Sequence, residues 1–145
     1  MIVLVQKLVA DVPLPSFAHP GDAGADLVST VDLIIEPGER ALVPTGISIA
    51  LPENSVAYVM PRSGLAIKHG VTVLNAPGTI DSGYRGEIKV PLINLDPKNS
   101  FVINRLDRIA QLTVSTLADV RYEQTNELPD SARGAGGFGS TGVKS

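Results

Sequence analysis

The sequence predicts an all-β fold, a jelly-roll-like barrel or sandwich with one short helix and a flexible glycine-rich C-terminal tail. Two observations carry this expectation. Apolar residues fall in short runs rich in Val and Ile, at Ile2–Val5, Asp32–Ile35, Gly46–Leu51, Val56–Met60, Ile88–Ile93, Phe101–Ile103 and Ile109–Val114. Turn signals such as Glu36-Pro37-Gly38-Glu39, Leu51-Pro52-Glu53-Asn54 and Asp96-Pro97-Lys98-Asn99 separate them at intervals of about 8–12 residues, the spacing of an all-β sandwich or barrel. Within Gly46–Leu51 the alternation has period two, which suits a half-buried strand.

One stretch alone invites a helix. Ser63-Gly64-Leu65-Ala66-Ile67-Lys68-His69-Gly70 offers Ser63 as an N-cap and Gly70 as a terminator, two turns at most. A chain of 145 residues with 43% hydrophobic and 19% charged residues is the size of one domain with one core. We expect that domain over residues 1–127 and a tail over 128–145. From Leu128 onward the residues are mainly Gly, Ser, Thr and Ala, which bury too little surface to order themselves.

Composition excludes several chemistries. There is no Cys, hence no disulfide, thiolate metal site or cysteine nucleophile. Two histidines, His19 and His69, are too few for a multi-histidine metal centre. A net charge of −3 argues against binding to nucleic acid through the overall field. No apolar run approaches the ~18 residues of a membrane span, and the N-terminus has neither the basic flank nor the small-residue cleavage site of a secretory signal. The expected compartment is the cytoplasm, with no membrane partner.

Gly134-Ala135-Gly136-Gly137-Phe138-Gly139 satisfies G-x-G-x-x-G, but it follows no strand and opens no helix, so a dinucleotide site fails on context. Glycines beside Ser140 and Thr141 can still wrap phosphate oxygens with backbone N–H groups. Five segments concentrate polar groups. They are Gly21–Leu27 with Asp22 and Asp26; Pro61–Ala66, where Arg62 and Ser63 meet the start of the helix and suit an anion; Asn75–Val90, read as a β-hairpin with Asp81 and Tyr84 near its bend; Arg105–Leu112; and Arg133–Gly142. Singly each has a structural explanation. Asp22 or Asp26 beside glycine is usually a turn residue, and Asp107-Arg108 is more often a surface pair.

In their order and spacing the five segments resemble the homotrimeric, all-β dUTPase family, deoxyuridine triphosphate nucleotidohydrolases. The matching blocks are Ala23-Gly24-Ala25-Asp26-Leu27, Pro61-Arg62-Ser63-Gly64-Leu65-Ala66, Asn75–Val90, Asp107-Arg108-Ile109-Ala110-Gln111-Leu112 and Arg133 through Gly142. The resemblance implies a jelly roll, three copies about a threefold axis, and active sites between subunits closed by the tail of another chain. It implies hydrolysis of dUTP to dUMP and pyrophosphate by water attack on the α-phosphorus, which keeps dUTP low and supplies dUMP for thymidylate synthesis, with Mg²⁺ on the triphosphate.

The same resemblance assigns roles. Asp81 would orient and deprotonate the attacking water. Tyr84 would lie beneath the deoxyribose and leave no room for a 2′-hydroxyl. Asn75, Gly78, Thr79 and Ile80 belong to the segment that would read the uracil edge, where hydrogen bonding discriminates better than apolar fit. Arg62, Ser63, Gly64 and Gln111 would line the phosphates. Asp26 would hold waters on Mg²⁺, which keeps much of its hydration shell. Arg133, Gly139, Ser140 and Thr141 would close over the terminal phosphates, Phe138 would stack on the base, and Lys89 would support the hairpin or the nucleotide.

Two rival readings share this fold. dCTP deaminases carry Arg-Ser-Ser where this chain has Arg62-Ser63-Gly64. They place a catalytic Glu on the strand that here reads Ile88–Asn94, with Glu87 in a different register. A non-enzymatic, nucleotide-responsive binding module is the other, and fold alone does not exclude it.

Overall fold

The computed structural model describes residues 1–137. Among them the chain forms eleven strands and one helix. In chain order these are β1 (Leu4–Lys7), β2 (Ala25–Val28), β3 (Leu33–Ile35), β4 (Arg40–Pro44), β5 (Ile47–Ala50), β6 (Ser55–Met60), α1 (Ser63–His69), β7 (Val71–Val73), β8 (Gly78–Asp81), β9 (Lys89–Asn94), β10 (Phe101–Ile103) and β11 (Arg108–Thr116). The fold class is the one the sequence predicts.

The strands form a four-stranded sheet, β2-β11-β6-β8, a three-stranded sheet, β4-β9-β7, and two ribbons, β1-β5 and β3-β10, with every pairing antiparallel. Leu27, Val59 and Ile109 from the first sheet and Val43, Val90 and Leu92 from the second belong to one buried cluster. That cluster is the core that joins the layers.

Asn75–Val90 is not a hairpin. β8 pairs only with β6, whereas β7 and β9 pair with each other in the other sheet. The chain crosses from one sheet to the other through Leu74–Pro77 and returns through Ser82–Ile88. The Pro-Gly and Ser-Gly turn signals therefore mark two crossings between layers rather than one bend. The Ala76–Pro77 peptide bond in the first crossing is cis.

The helix ends where expected, with Gly70 in the left-handed region (φ 66°) and its N–H donating to the Ala66 carbonyl at 3.0 Å. It starts one residue earlier in role. Arg62, not Ser63, is the N-cap; its carbonyl accepts from the N–H groups of Leu65 and Ala66, and no side chain caps the turn. Gly46 is also left-handed (φ 70°), and a Cβ there would lie 2.7 Å from Thr30 Cγ2. That crowded turn joins β4 to β5 and braces the site.

Asn94, fully buried, ties the sheet end to its neighbours. Its amide donates to the carbonyls of Ile35 (3.0 Å) and Asn99 (2.9 Å), and its carbonyl accepts from Asp96 N–H (3.0 Å). A polar group left unpaired in such a place costs about 1–3 kcal/mol. Asn94→Leu is therefore expected to lower the denaturation midpoint clearly, and an unchanged midpoint would show that all three backbone groups find other partners. Asp96 in turn accepts from the N–H groups of Lys98 and Asn99, which hold its exposed carboxyl below the usual carboxylate value.

Candidate active site

The two crossings and β8 enclose a cleft of about 200 Å³. The first crossing contributes Asn75, β8 contributes Gly78, Thr79, Ile80 and Asp81, and the return crossing contributes Tyr84, Glu87 and Ile88. Lys89 and Pro91 on β9 and Val59 on β6 complete the lining. Gly78 is buried and closely packed: a Cβ there would lie 3.3 Å from Val59 Cβ and 3.4 Å from Asn75 Nδ2, so a larger residue would need its neighbours to give way slightly. Asn75 is thus seated against the strand floor with its amide at the cleft.

Asp81 ends β8 opposite Val56, with an exposed side chain. Its carbonyl accepts from Tyr84 N–H at 3.0 Å, which turns the chain into the return crossing. Arg85 staples that crossing, donating from one guanidinium nitrogen to the carbonyls of Ser82 (2.6 Å) and Tyr84 (2.8 Å). Lys89 faces Glu87, Nζ to Oε2 3.6 Å.

The second group of predicted residues lies elsewhere on the same sheet. Asp26, Gln111 and Met60 stand directly opposite one another across β2, β11 and β6, and Arg62 follows just beyond. Asp26 is on a strand and not in a turn. Its carboxylate meets Arg62 Nε and Arg108 Nη1, each at 3.3 Å, while Arg62 also donates to the Arg108 carbonyl at 3.0 Å. Arg62 Nε and Asp26 Oδ1 are buried with no hydrogen-bond partner, so their contact is an ion pair without hydrogen-bond geometry. Gly24 makes room beside them, since a Cβ there would lie 3.0 Å from both Cβ and Oε1 of Gln111.

Ser63 and Gly64 are exposed at the start of α1. Arg133 is exposed in the tail, donating through Nε to the Gly136 carbonyl at 2.8 Å. Phe138, Gly139, Ser140 and Thr141 lie outside the described residues. Three residues escaped the sequence reading: Arg108, Arg85 and Glu87. Arg108 reads as half of a surface pair with Asp107, yet Asp107 accepts from Asn104 N–H (2.8 Å) and Arg108 crosses to Asp26. The register shift between Arg108 and Ala110 accompanies that reach, and no local pattern announces it.

β8 runs along β6 from Asp81 opposite Val56 to Gly78 opposite Val59, and the cluster begins at the next residue, Met60. Asp81 pairs with Val56 and Gln111 with Met60, and none of Arg62, Ser63, Gly64 or Gln111 lines the cleft. From Asp81 the offset along β6 is four residues, about 13 Å, whereas from Gly78 it is a single residue. A carboxylate borders the cleft, and an arginine cluster lies on the same sheet. A sequence model of the dUTPase family matches residues 10–142, across both cleft and cluster. The chain belongs to the dUTPase family.

Relatives and structures agree. The deoxyuridine 5'-triphosphate nucleotidohydrolase of Bifidobacterium longum subsp. infantis is 61% identical over 144 residues, covering 99% of this chain and 91% of that protein. Among solved structures, a single-residue variant of the Staphylococcus bacteriophage 80alpha dUTPase with dUpNHpp matches with a TM-score of 0.91 at 27% identity, covering 98% of this chain and 99% of the other. A variant dUTPase from phage phi11 of S. aureus, described with a structural Mg(II) ion, matches in fold with a TM-score of 0.80 at 24% identity, over 88% of this chain and 98% of its own. Among the described residues of this dUTPase-family chain, no three His, Asp or Glu side chains converge on a metal-sized space.

Proposed function

We propose that the chain hydrolyses dUTP to dUMP and pyrophosphate in a site shared between copies of itself. The observation that carries the reading is the cleft, in which Asp81 borders a space walled by Asn75, Gly78, Thr79, Ile80 and Tyr84. Uracil would enter between the β8 backbone and Asn75, where fixed donors and acceptors reject cytosine. Tyr84 would floor the deoxyribose. Asp81 would take the proton of a water in line with the α-phosphorus.

The phosphates of a nucleotide in this cleft need cations that the cleft residues of one chain do not supply in number. Arg62, Ser63, Gly64 and Gln111 do not line the cleft of their own chain, and we infer that a second copy donates them. We extend this to a homotrimer, with Arg133 and the Phe138–Thr141 segment coming from another chain. Association also fits the stretch after β11, where Leu117, Val120, Tyr122 and Leu128 are all exposed, Tyr122 at 97%. Buried against a neighbour, they would contribute as a core does.

Asp26 fits Mg²⁺ only in an outer role. It is a single carboxylate already facing two guanidinium groups. Its Oδ1 is buried against Arg62, so Oδ2, which also faces Arg108, is the oxygen left to meet metal-bound water. Mg²⁺, when bound on the triphosphate, neutralises charge there and leaves the leaving group easier to expel. The same Asp26 holds Arg62 and Arg108 side by side. No helix of the described residues is long and apolar enough to cross a membrane, and we place the reaction in the cytoplasm with no nucleic-acid partner.

Pyrophosphate release from dUTP, UTP, dCTP and dTTP with Mg²⁺ tests the reading. Turnover of dUTP far above the others is expected, and Tyr84→Ala should raise UTP relative to dUTP. Ammonia released from dCTP, or no turnover at all, would replace the reading with the deaminase or the binding module.

A further inference from the structure

The return crossing holds two residues whose chemistry is spent on Tyr84. Gly86 has no need of glycine for its backbone, since its φ lies outside the left-handed region. Space is the reason. A Cβ at Gly86 would meet Tyr84 Oη and lie 2.6 Å from Cζ and 3.0 Å from Cε2, so the hydroxyl end of the phenol ring packs against the Gly86 backbone. Tyr84 Oη donates to the Glu87 carbonyl at 3.0 Å. Glu87 is itself clamped, its Oε1 accepting from Gly46 N–H at 2.9 Å and its Oε2 facing Lys89. The next residue is tied to the same turn, with Thr45 Oγ1 donating to the Ile88 carbonyl (2.6 Å) and Ile88 N–H donating to the Ile47 carbonyl (2.9 Å).

We propose that Gly86 and Glu87 are positioning residues that set the plane of Tyr84, and through it the discrimination between deoxyribose and ribose. Gly86 backs the hydroxyl end of the ring. Glu87 supplies the hydroxyl's acceptor, and its carboxylate fixes that acceptor against the left-handed turn at Gly46. An aromatic ring excludes a 2′-hydroxyl only if it cannot tilt away. Both contacts hold the hydroxyl end, one from the Gly86 backbone and one from the Glu87 carbonyl, so swinging of that end is opposed twice. Arg85 stiffens the start of the crossing, before these two residues, through its bonds to Ser82 and Tyr84.

The proposal rests on the reading of Tyr84 as the sugar-facing residue, and the test separates the two. The measured quantity is kcat/KM for UTP divided by that for dUTP. Displacing a positioned group by about 1 Å can cost up to 10²-fold, so Gly86→Ala is expected to raise the ratio about tenfold, with dUTP turnover falling more than UTP turnover. In a Tyr84→Ala background the same change should leave the ratio alone, because the Cβ then meets empty space. Glu87→Ala should also raise the ratio. Glu87→Gln, whose amide oxygen can still accept from Gly46 N–H, should restore it although the charge is gone. Should Gly86→Ala fail to fold, the Glu87 pair decides alone. A ratio unmoved by Gly86→Ala and Glu87→Ala while Tyr84→Ala moves it overturns the proposal and leaves the gate standing. Equal effects of Gly86→Ala with and without Tyr84 also overturn it. A ratio that Tyr84→Ala itself does not move removes gate and proposal together.

Discussion

Asp81→Asn is expected to keep its affinity for dUTP while hydrolysing it about 10²–10⁴-fold more slowly, the range that general-base assistance supplies. The side chain stands exposed at the end of β8, on the rim of the cleft and outside the core. Asn has the same size and can still contact a water, so the backbone turn through the Asp81 carbonyl to Tyr84 N–H should survive. What is lost is the capacity to take a proton. Steady-state pyrophosphate release and equilibrium binding of dUTP distinguish the cases: kcat should fall with KM nearly unchanged. A variant within a few-fold of wild type would strip Asp81 of its role.

The second large effect concerns two defective chains that repair each other. Arg62→Ala alone and Asp81→Asn alone should both be nearly inactive. Refolded together they should recover activity, because one chain retains Asp81 and the other Arg62. For random mixing about a quarter of the sites combine both, so roughly a quarter of wild-type turnover is expected if each site spans two subunits of a closed ring. Arg62 also pairs with Asp26, so Gln111→Ala, which leaves that pair intact, serves as a second partner for the same mixture. Mixed oligomers confirmed by mass that remain inactive would mean that one chain builds its site alone.

Much of this was readable because turns and strand runs are local. The Val- and Ile-rich runs fall on β1, β3, β5, β6, β9, β10 and β11, and the helix ends at the glycine that its geometry demands. Four strands carry weaker signals. β2 begins at Ala25 and holds Asp26 between buried neighbours, so a carboxylate interrupts its pattern. β8 opens on Gly78, a residue that weakens strand propensity but packs closely there against Val59 and Asn75. β7 alternates as Val71-Thr72-Val73 with no continuous apolar run, and the Ala41-Leu42-Val43 run of β4 is short and hemmed by Arg40 and Pro44. The polar segments that hold the expected site residues were legible, and the described ones fall around the cleft, around the arginine cluster with the start of α1, and in the tail. Their division was not legible, because sheet membership depends on non-local pairing. Local turn chemistry makes Asn75–Val90 look like one hairpin, and only the partners β6, β7 and β9 reveal two crossings. Glu87 is a similar case, its partner Gly46 lying 41 residues earlier in the chain.

The position of β11 has a consequence for how the molecule is made. The last strand to leave the ribosome lies between β2 and β6, both synthesised long before it. Until residues 108–116 arrive, β2 has no ladder neighbour in its sheet and β6 has an open edge, each offering unpaired N–H and C=O groups to any other nascent chain. Pairing across such sequence distances is slow, since loop closure must precede reward. Partially made or prematurely terminated chains are thus the aggregation-prone species of this protein, and slowing translation upstream of Arg108 should lower the yield of soluble product more than slowing it beyond Thr116.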